Sequence, residues 1–159
     1  MPENILWFDL IIENKDNFET ILIEAINYYE KELEQARKDL EIKGSLEKNS
    51  SSLPGIVELR FRQLQDIESI LEFLNNKLKQ IRSRVFRKYF EKYPRELSSR
   101  EAEKYVDGED EVVNFAILVN KISLLRNCFL AIHKALEVKV FQINNIVKLR
   151  VAGLENVNL

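Results

Sequence analysis

Residues 56–93 read IVELRFRQLQDIESILEFLNNKLKQIRSRVFRKYFEKY, a stretch without glycine or proline. Its apolar side chains recur at alternating steps of three and four, the spacing that places residues on one face of an α-helix. The series consists of Leu64, Ile67, Leu71, Leu74, Leu78, Ile81 and Val85. Three consecutive heptads of this kind are typical of a helix that packs lengthwise against other helices. The stretch therefore predicts one long helix.

The length of this helix sets an expectation for the whole protomer. A continuous helix over residues 56–93 would be about 57 Å long, whereas a compact sphere of roughly 160 residues would have a diameter of roughly 40 Å. An elongated protomer cannot cover all of its own apolar stripes, and the simplest cover is another copy of the same chain. We therefore expect an elongated all-α protomer with long antiparallel helices, which assembles into a homo-oligomer.

Upstream of the long helix, residues 1–43 hold a short apolar segment followed by a second predicted helix. Asp16, with Glu19 three residues later, fits a capping box, so this helix should begin near Phe18 and end near position 43. Residues 44–55 combine glycine, proline and a run of serines. This composition predicts a hinge between the two helices.

Downstream, residues 98–159 are predicted to form the C-terminal helices of a single domain that spans the whole chain. Pro94 ends the long helix, and Ser98 with Glu101 is a second capping-box pattern that opens a short helix. Between positions 112 and 136, 17 of 25 side chains are apolar. This density predicts a further helix that is buried on most sides.

The last segment, residues 138–159, fits two structures. Its apolar residues suit a short helix, which we favour, but they also suit a hairpin of two strands that turns at Asn144 and Asn145.

Composition and motifs narrow the class of function. One cysteine and one histidine can supply neither an internal disulfide nor a structural zinc set. The chain has no glycine-rich phosphate loop, no nucleophile elbow and no His/Glu metal signature, so no catalytic, cofactor-binding or metal-binding residue is expected, and we do not expect an enzyme. The N-terminus does not fit a signal peptide, and no uninterrupted apolar run is long enough to span a bilayer. A cytoplasmic protein without a membrane partner is expected.

Charge is strongly segregated along the chain, although the net charge is only −2. Residues 77–95 carry eight bases against a single acid, Glu91. A solvated helix face ordinarily mixes both signs, and this one does not. The imbalance predicts that the end of the long helix binds a polyanion and that its bases are free of neighbouring carboxylates.

Single-stranded nucleic acid is the polyanion that suits this segment best. Arginine and lysine would hold the phosphates, and exposed aromatic rings could stack the bases. The candidate contacts are Lys77, Lys79, Arg82, Arg84, Arg87 and Lys88. The interleaved aromatic residues are Phe86, Tyr89, Phe90 and Tyr93. Their spacing by three and four favours core packing over base stacking.

Three further residues have structural interpretations. His133, on a mostly apolar helix, is expected to be a hydrogen-bonded structural histidine, and Cys128 a small buried apolar residue. Trp7 is expected to anchor the N-terminal apolar segment. The acids between positions 107 and 111 lack the spacing of a calcium loop and are interpreted as the start of a helix.

The C-terminal third contains residues that follow a known pattern. Residues 106–113 read VDGEDEVV, a long apolar helix follows, and then come KVFQINNI at 139–146 and Ala-Gly at 152–153. In this order and spacing the chain resembles the UvsY-type recombination mediators of T-even-like phages and cyanophages. Upstream, Arg82 and Arg84 ahead of Tyr89 look like the basic residues to which that family's single-stranded DNA contacts are attributed.

The resemblance implies a specific function. It implies a homo-oligomeric ring that binds single-stranded DNA and helps a RecA-like recombinase to displace a single-strand-binding protein, in the host cytoplasm if the chain is phage-encoded. No catalytic residue is implied. The alternative is a non-enzymatic helical scaffold or adaptor that does not bind nucleic acid, in which the basic helix end pairs with the acidic first helix of a neighbouring copy.

Overall fold

The computed structural model describes residues 6–92 and 97–153, apart from the side chain of Lys92. Every regular element in these two ranges is an α-helix, which confirms the all-α prediction. The helices are α1 (Trp7–Glu13), α2 (Phe18–Asp39), α3 (Leu46–Lys92), α4 (Ser99–Asp107) and α5 (Asp110–Val151). The predictions made for Tyr93, Pro94 and Arg95, and for the first five residues, lie outside the described residues.

Helix α2 begins at Phe18, as predicted, but its N-cap does not form the predicted capping box. The N-cap residue is Asn17 rather than Asp16, and its side chain accepts no hydrogen bond from the helix backbone. Instead, the Asn17 Oδ1 atom accepts a hydrogen bond from the Thr20 hydroxyl at 3.3 Å. The capping box at Asp16 is therefore wrong, although the position of the helix start is right.

The predicted hinge over residues 44–55 is also wrong, because α3 begins at Leu46 and contains Pro54. With 47 residues, α3 is about 70 Å long. The actual turn is shorter and includes Gly44, whose φ of +80° suits glycine. Burial outweighs the turn propensity here, because Leu53 packs in an apolar cluster with residues of α2 and α5.

Helix α4 has the predicted capping box. The Ser98 hydroxyl accepts a hydrogen bond from the backbone N–H of Glu101 at 3.3 Å, and the Glu101 carboxylate accepts one from the backbone N–H of Ser98 at 3.0 Å. Two of the N–H donors at the start of the helix are satisfied in this way.

The alternative of two C-terminal strands is wrong within the described residues, because α5 continues as a helix to Val151. The separate short helix that we favoured is wrong as well, since this segment is part of one helix that begins at Asp110. Ile143 is buried in the same apolar cluster as Leu53. Lys139 is buried as well, and its ammonium donates hydrogen bonds to the backbone carbonyls of Asp39 at 2.7 Å and Glu41 at 2.9 Å. These carbonyls lie at the end of α2, so a single lysine ties α5 to the C-terminus of another helix.

The apolar series of the long helix forms the centre of the fold. Leu64, Ile67 and Leu74 are buried in the main core, together with residues of α1, α2 and α5. Val85 lies in a smaller cluster with Val106 of α4 and the start of α5. The burial of these side chains confirms that the heptads form one buried face of a helix.

Helix α1 docks on this core through the predicted anchor, Trp7, which is buried. Its position also depends on a buried carboxylate, that of Asp66, which accepts hydrogen bonds from the backbone N–H groups of Trp7 and Phe8. A second buried polar cluster surrounds Arg60 of α3. Both clusters connect helices that are distant in sequence.

Helix α5 is not buried on most sides, contrary to the prediction. Ile117 and Leu124, in its first half, are 61% and 66% exposed. An 18-residue window of α5 has a mean hydropathy of 1.6, so by length and composition the helix could cross a membrane, and only 28% of that window is buried. One such helix is weak evidence for a membrane span, because core helices of soluble proteins reach similar values.

Candidate nucleic-acid interface

All six predicted contact residues lie on α3 within its last third. Because the helix is continuous there, the bases are distributed around it rather than on one side. Lys79 and Arg87 lie on the face opposite the core, whereas Arg82 and Arg84 lie on its two flanks. The flanking bases come within reach of α4 and of the start of α5.

The expectation that these bases are free of carboxylates is wrong for three of them. Arg82 forms an ion pair with Asp107 at 2.8 Å, and Arg84 forms one with Glu111. The two arginine side chains remain 42% and 66% exposed. Exposed ion pairs of this kind contribute only about 0–1 kcal/mol, so they are weak competitors for either arginine.

The third paired base is Lys88, which contacts Glu109 at 3.0 Å. Glu109 also accepts a hydrogen bond from the Tyr89 hydroxyl at 2.6 Å. These two hydrogen bonds, that from Tyr89 above all, lower the pKa of the Glu109 carboxyl below its ordinary value of 4.5. In return, the hydrogen bond to Glu109 raises the pKa of the Lys88 ammonium. Both groups are therefore charged at neutral pH.

Lys79 and Arg87 form no ion pair or hydrogen bond with any other described residue. They line a shallow groove of about 740 Å³ along the outer surface of α3. The groove is formed by Lys79, Gln80, Ser83, Arg84, Arg87, Lys88 and Glu91. We call this set the outer stripe. It presents four bases and one acid to solvent.

Lys77, the remaining candidate, has an aromatic environment. Its ammonium lies 5.9 Å from the ring centroid of Phe18 and 5.6 Å from that of Phe73. Such cation–π contacts hold a lysine side chain against the protein surface without neutralising its charge. Lys77 therefore contributes to the positive potential beside the outer stripe but is less free to move than Lys79.

The aromatic residues of this segment divide into two groups. Phe86 and Tyr89 pack against the small cluster around Val85, as the core interpretation predicts. Phe90 is half exposed and stacks on Phe86 with a centroid distance of 5.5 Å. Of the rings described, Phe90 is the one in this segment that solvent reaches most directly.

Sequence reasoning missed the role of the acids at the start of α5. Glu109 and Glu111 lie at the start of α5, as predicted, whereas Asp107 is the last residue of α4, and each of the three also binds a base of α3. We call these three residues the acidic clamp. The local charge pattern revealed the acids and the bases separately, and only the packing of α3 against α4 and α5 brings them together.

The other singled-out residues have no place in this interface. The prediction of a hydrogen-bonded His133 is wrong: its Nδ1 atom is buried without a hydrogen-bond partner among the described residues, and the ring packs on Phe61. Cys128 is only partly buried and has a free thiol. Among the described residues, no group of three or more His, Cys, Asp or Glu side chains is arranged to hold a metal ion.

The fold and this interface define an all-α protein that presents a basic helix face to solvent. Comparisons with models of known protein families, with curated proteins and with solved structures found no match to this chain. The resemblance to the UvsY-type mediators therefore rests on the quoted motifs alone.

Proposed function

We propose that this protein is a non-enzymatic recombination mediator that acts in the cytoplasm. In this proposal it binds single-stranded DNA as a homo-oligomer and promotes the loading of a RecA-like recombinase against a single-strand-binding protein. The observation that carries DNA binding is the outer stripe of α3, where Lys79 and Arg87 form no ion pair with a described residue and Arg84 and Lys88 form ion pairs at the protein surface. The roles of the recombinase and of the single-strand-binding protein in this proposal are inferred from the resemblance to the UvsY-type mediators.

The outer stripe suits a flexible strand better than a base-reading interface. It is a shallow surface along one helix. Its lysine and arginine side chains can contact a phosphate backbone without entering the major or minor groove of a duplex. Phe90, half exposed one turn further on, could stack one base. About four phosphate contacts per protomer make a weak site, which an oligomer would multiply on one strand.

The geometry of the two long helices supports an elongated, antiparallel arrangement in the protomer. The end of α3 meets the start of α5 at the pair Arg84–Glu111. The beginning of α3 meets the second half of α5, where Phe61 packs on His133 at a centroid distance of 5.3 Å. The outer stripe would thus lie near one end of each protomer, from which it can extend a site shared with neighbouring copies.

Removal of the two unpaired bases provides the direct test of the site. We expect Lys79→Ala with Arg87→Ala to weaken binding of a fluorescent oligothymidylate roughly tenfold, because two contacts of about 0.7 kcal/mol each are lost. The slope of log affinity against log salt should fall from about −2.8 to about −1.4, at about −0.7 for each phosphate neutralised on a single strand. Fluorescence anisotropy at salt concentrations from about 50 to 200 mM measures both the affinity and its salt slope.

A matched control separates the site from net charge. Lys31→Ala with Lys38→Ala removes two exposed lysines from α2, and so the same charge, at positions away from the outer stripe. These changes should leave the salt slope unaltered. Equal loss of affinity in both double variants, or no loss in either, would refute the outer stripe as the DNA site.

Neutralising the acidic clamp should have the opposite effect on DNA binding. In Asp107→Asn with Glu109→Gln and Glu111→Gln, the bases Arg82, Lys88 and Arg84 lose their intramolecular partners. We expect affinity to rise about tenfold, because these carboxylates no longer compete with the strand for the three bases, and the salt slope to steepen because Arg82 adds a phosphate contact to those of the outer stripe. A triple variant that binds DNA no more tightly than the parent would show that these bases do not contact the strand.

The clamp also predicts a dependence on pH. Because Tyr89 and Lys88 lower the pKa of Glu109, the stabilisation from these contacts is complete above pH 4.5, the ordinary value of that carboxyl. It is lost as the pH falls through the lowered value in the folded protein. DNA affinity of the parent should therefore approach that of the single variant Glu109→Gln in acid, measured over the range in which circular dichroism shows α-helix.

The scaffold alternative is favoured by one observation, the pairing of three of the bases with carboxylates of the same chain. It predicts no oligonucleotide binding at low salt by either the parent or the triple variant. Anisotropy measurements on these two proteins distinguish the two functions.

A further inference from the structure

A second groove shares Gln80 and Arg84 with the outer stripe. It has a volume of about 680 Å³, within the range of about 300–1,000 Å³ that is typical of small-molecule sites. The start of α2, the last third of α3 and the start of α5 form its walls. Its lining includes Phe18, Lys77, Gln80, Arg84, Asn114 and Phe115. We call it the side groove.

Part of the side groove is aromatic. Phe18 is buried in the main core, and Phe115 is half buried against the same core, with its ring centroid 6.5 Å from that of Phe18. The ammonium of Lys77 lies 5.9 Å from the ring centroid of Phe18. Aromatic side chains interact favourably with further rings in offset or edge-to-face geometry. A planar ring of a ligand can therefore pack on this surface.

Two amides lie beside these rings. Gln80 and Asn114 are both exposed, and neither amide side chain forms a hydrogen bond with another described residue. Each amide has an acceptor oxygen and two N–H donors. An unpaired base in a nucleic acid is typically recognised by stacking on its face and by hydrogen bonds to its edge. The side groove offers both kinds of contact.

The formal charges of the side groove cancel. Lys77 and Arg84 are balanced by Glu19 and Glu111, which line the same groove. The outer stripe, in contrast, has four bases and one acid. Phosphates are therefore attracted to the outer stripe rather than to the side groove. A neutral ring suits the side groove better, and a base is the neutral part of a nucleotide.

We infer that the side groove binds one unpaired base of a strand whose phosphates lie along the outer stripe. The inference rests on the proposed function and adds the place where a base is held. Because Gln80 and Arg84 belong to both surfaces, a phosphate at Arg84 can belong to the nucleotide whose base enters the groove. The exposed pair of Arg84 with Glu111 is a weak competitor for that phosphate.

This site would favour a single strand over a duplex. The bases of a duplex are paired and stacked, and moving one of them into a protein site costs free energy. The bases of a single strand are free to turn towards the side groove. The outer stripe alone, which contacts phosphates, has no such means of discrimination.

An abasic oligonucleotide tests for base recognition. It has the same length and phosphates as an oligothymidylate but lacks the bases, so both strands should give about the same salt slope. We expect the parent protein to bind the oligothymidylate at least about tenfold more tightly, as stacking of one base on an aromatic side chain allows. Fluorescence anisotropy with both strands measures this preference.

A double variant assigns the preference to the side groove. In Asn114→Ala with Phe115→Leu the groove loses one amide and one ring, while leucine keeps an apolar side chain against the core. Affinity for the oligothymidylate should fall about tenfold, and affinity for the abasic strand should stay unchanged. The control, Phe61→Leu with Asn144→Ala, removes an exposed ring and an exposed amide from the other halves of α3 and α5. It should bind both strands as the parent does.

Tryptophan fluorescence tests the contact directly. The parent has a single tryptophan, the buried Trp7, so neither strand should change its emission. In Phe115→Trp the new indole lies in the side groove, and a base stacked on it should quench its emission. We expect quenching by the oligothymidylate and none by the abasic strand. This variant keeps an aromatic side chain at position 115 and so provides a second test if the double variant does not fold.

Three outcomes would overturn the inference and leave the outer stripe as the DNA site. They are equal affinities of the parent for the two strands, a preference that the double variant retains in full, and a Phe115→Trp emission that the oligothymidylate does not change. Failure of the parent to bind either strand would instead refute the proposed function, and the inference with it. The two failures are therefore distinguishable.

Discussion

Replacing Asp66 with asparagine is expected to destabilise the protein by about 3 kcal/mol and to release α1 from the core. The Asp66 carboxylate is only 3% exposed. It accepts hydrogen bonds from the backbone N–H groups of Trp7 at 2.9 Å and Phe8 at 3.0 Å, and from the Tyr29 hydroxyl. The first two donors belong to the first two residues of α1. The negative charge of Asp66 therefore lies at the positive end of the helix dipole, which is favourable.

The size of this effect follows from what an amide cannot do. Asparagine has one acceptor oxygen and an NH₂ group, so at least one buried donor would face another donor. Hydrogen bonds to charged groups contribute about 1.5–3 kcal/mol, and an unsatisfied buried donor adds about 1–3 kcal/mol of desolvation. The loss should fall first on α1, because this seven-residue helix is too short to be stable alone.

Urea denaturation and tryptophan fluorescence measure both parts of this prediction. Trp7 is the single tryptophan of the chain, so its emission reports on α1 and should shift to the red in Asp66→Asn. Asp9→Asn, an exposed change on the same helix, is the control and should cost a few tenths of a kcal/mol. An Asp66→Asn protein with the parent's denaturation midpoint and emission would contradict the role assigned to Asp66.

The same cluster should make the free energy of unfolding depend on pH in the alkaline range. Burial above all, and then the Asp66 charge, raises the pKa of the Tyr29 hydroxyl far above its ordinary value of 10.0. Tyr29 therefore stays protonated in the folded protein while the unfolded chain loses this proton near pH 10. Its stabilising effect is complete below that pH and falls as the pH rises further. Tyr29→Phe should weaken this alkaline dependence.

Arg60→Ala is expected to have an effect at least as large, about 3–5 kcal/mol. The guanidinium is 2% exposed and contacts Glu32 at 2.7 Å and Asp39 at 2.6 Å, both on α2. It also donates a hydrogen bond to Gln63 at 2.8 Å. Truncation would leave two poorly solvated carboxylates without a cation, with hydrogen bonds from Gln63 to Glu32 and from Gln35 to Asp39 as their remaining side-chain contacts. Breaking a buried pair in this way costs far more than the pair itself contributes.

A neighbouring arginine provides the control. Arg62 lies two positions further along α3, with its side chain 40% exposed and 4.0 Å from Glu58. Arg62→Ala should change the free energy of unfolding by less than about 1 kcal/mol. The triple change Arg60→Met with Glu32→Gln and Asp39→Asn should recover much of the loss, since no buried charge is then left unpaired. Equal costs for Arg60→Ala and Arg62→Ala in chemical denaturation would refute the account.

Much of the fold could be predicted because its signals are local. The three-four spacing of Leu64, Ile67 and Leu74 defines one face of a helix whatever that face packs against, and all three residues are buried. The capping box at Ser98 is equally local, since its donors and acceptors lie within four residues of each other. The hinge prediction failed because Pro54 and Gly55 carry strong local signals that the burial of Leu53 outweighs.

The candidate site was predictable only in part, for a similar reason. Charge counting located the basic end of α3, but a count along the chain contains no information about which bases meet which acids. Arg84 and Glu111 are 27 positions apart, and Lys88 and Glu109 are 21 apart. Their contacts exist because α3 and α5 pack side by side. The packing leaves Lys77, Lys79 and Arg87 without a carboxylate partner among the described residues, and of these three Lys77 lies against the rings of Phe18 and Phe73.

The amino-acid sequence by itself determined that this protein is helical and that its positive charge is concentrated near the end of one long helix. Periodicity and charge density are properties of neighbouring residues, so they can be read without a fold. Only the tertiary structure decided which of those charges are neutralised, which carboxylate holds α1, and which apolar face of α5 is left open. Each of these depends on contacts between helices, and the free energy of such contacts comes from side chains that are far apart in the chain.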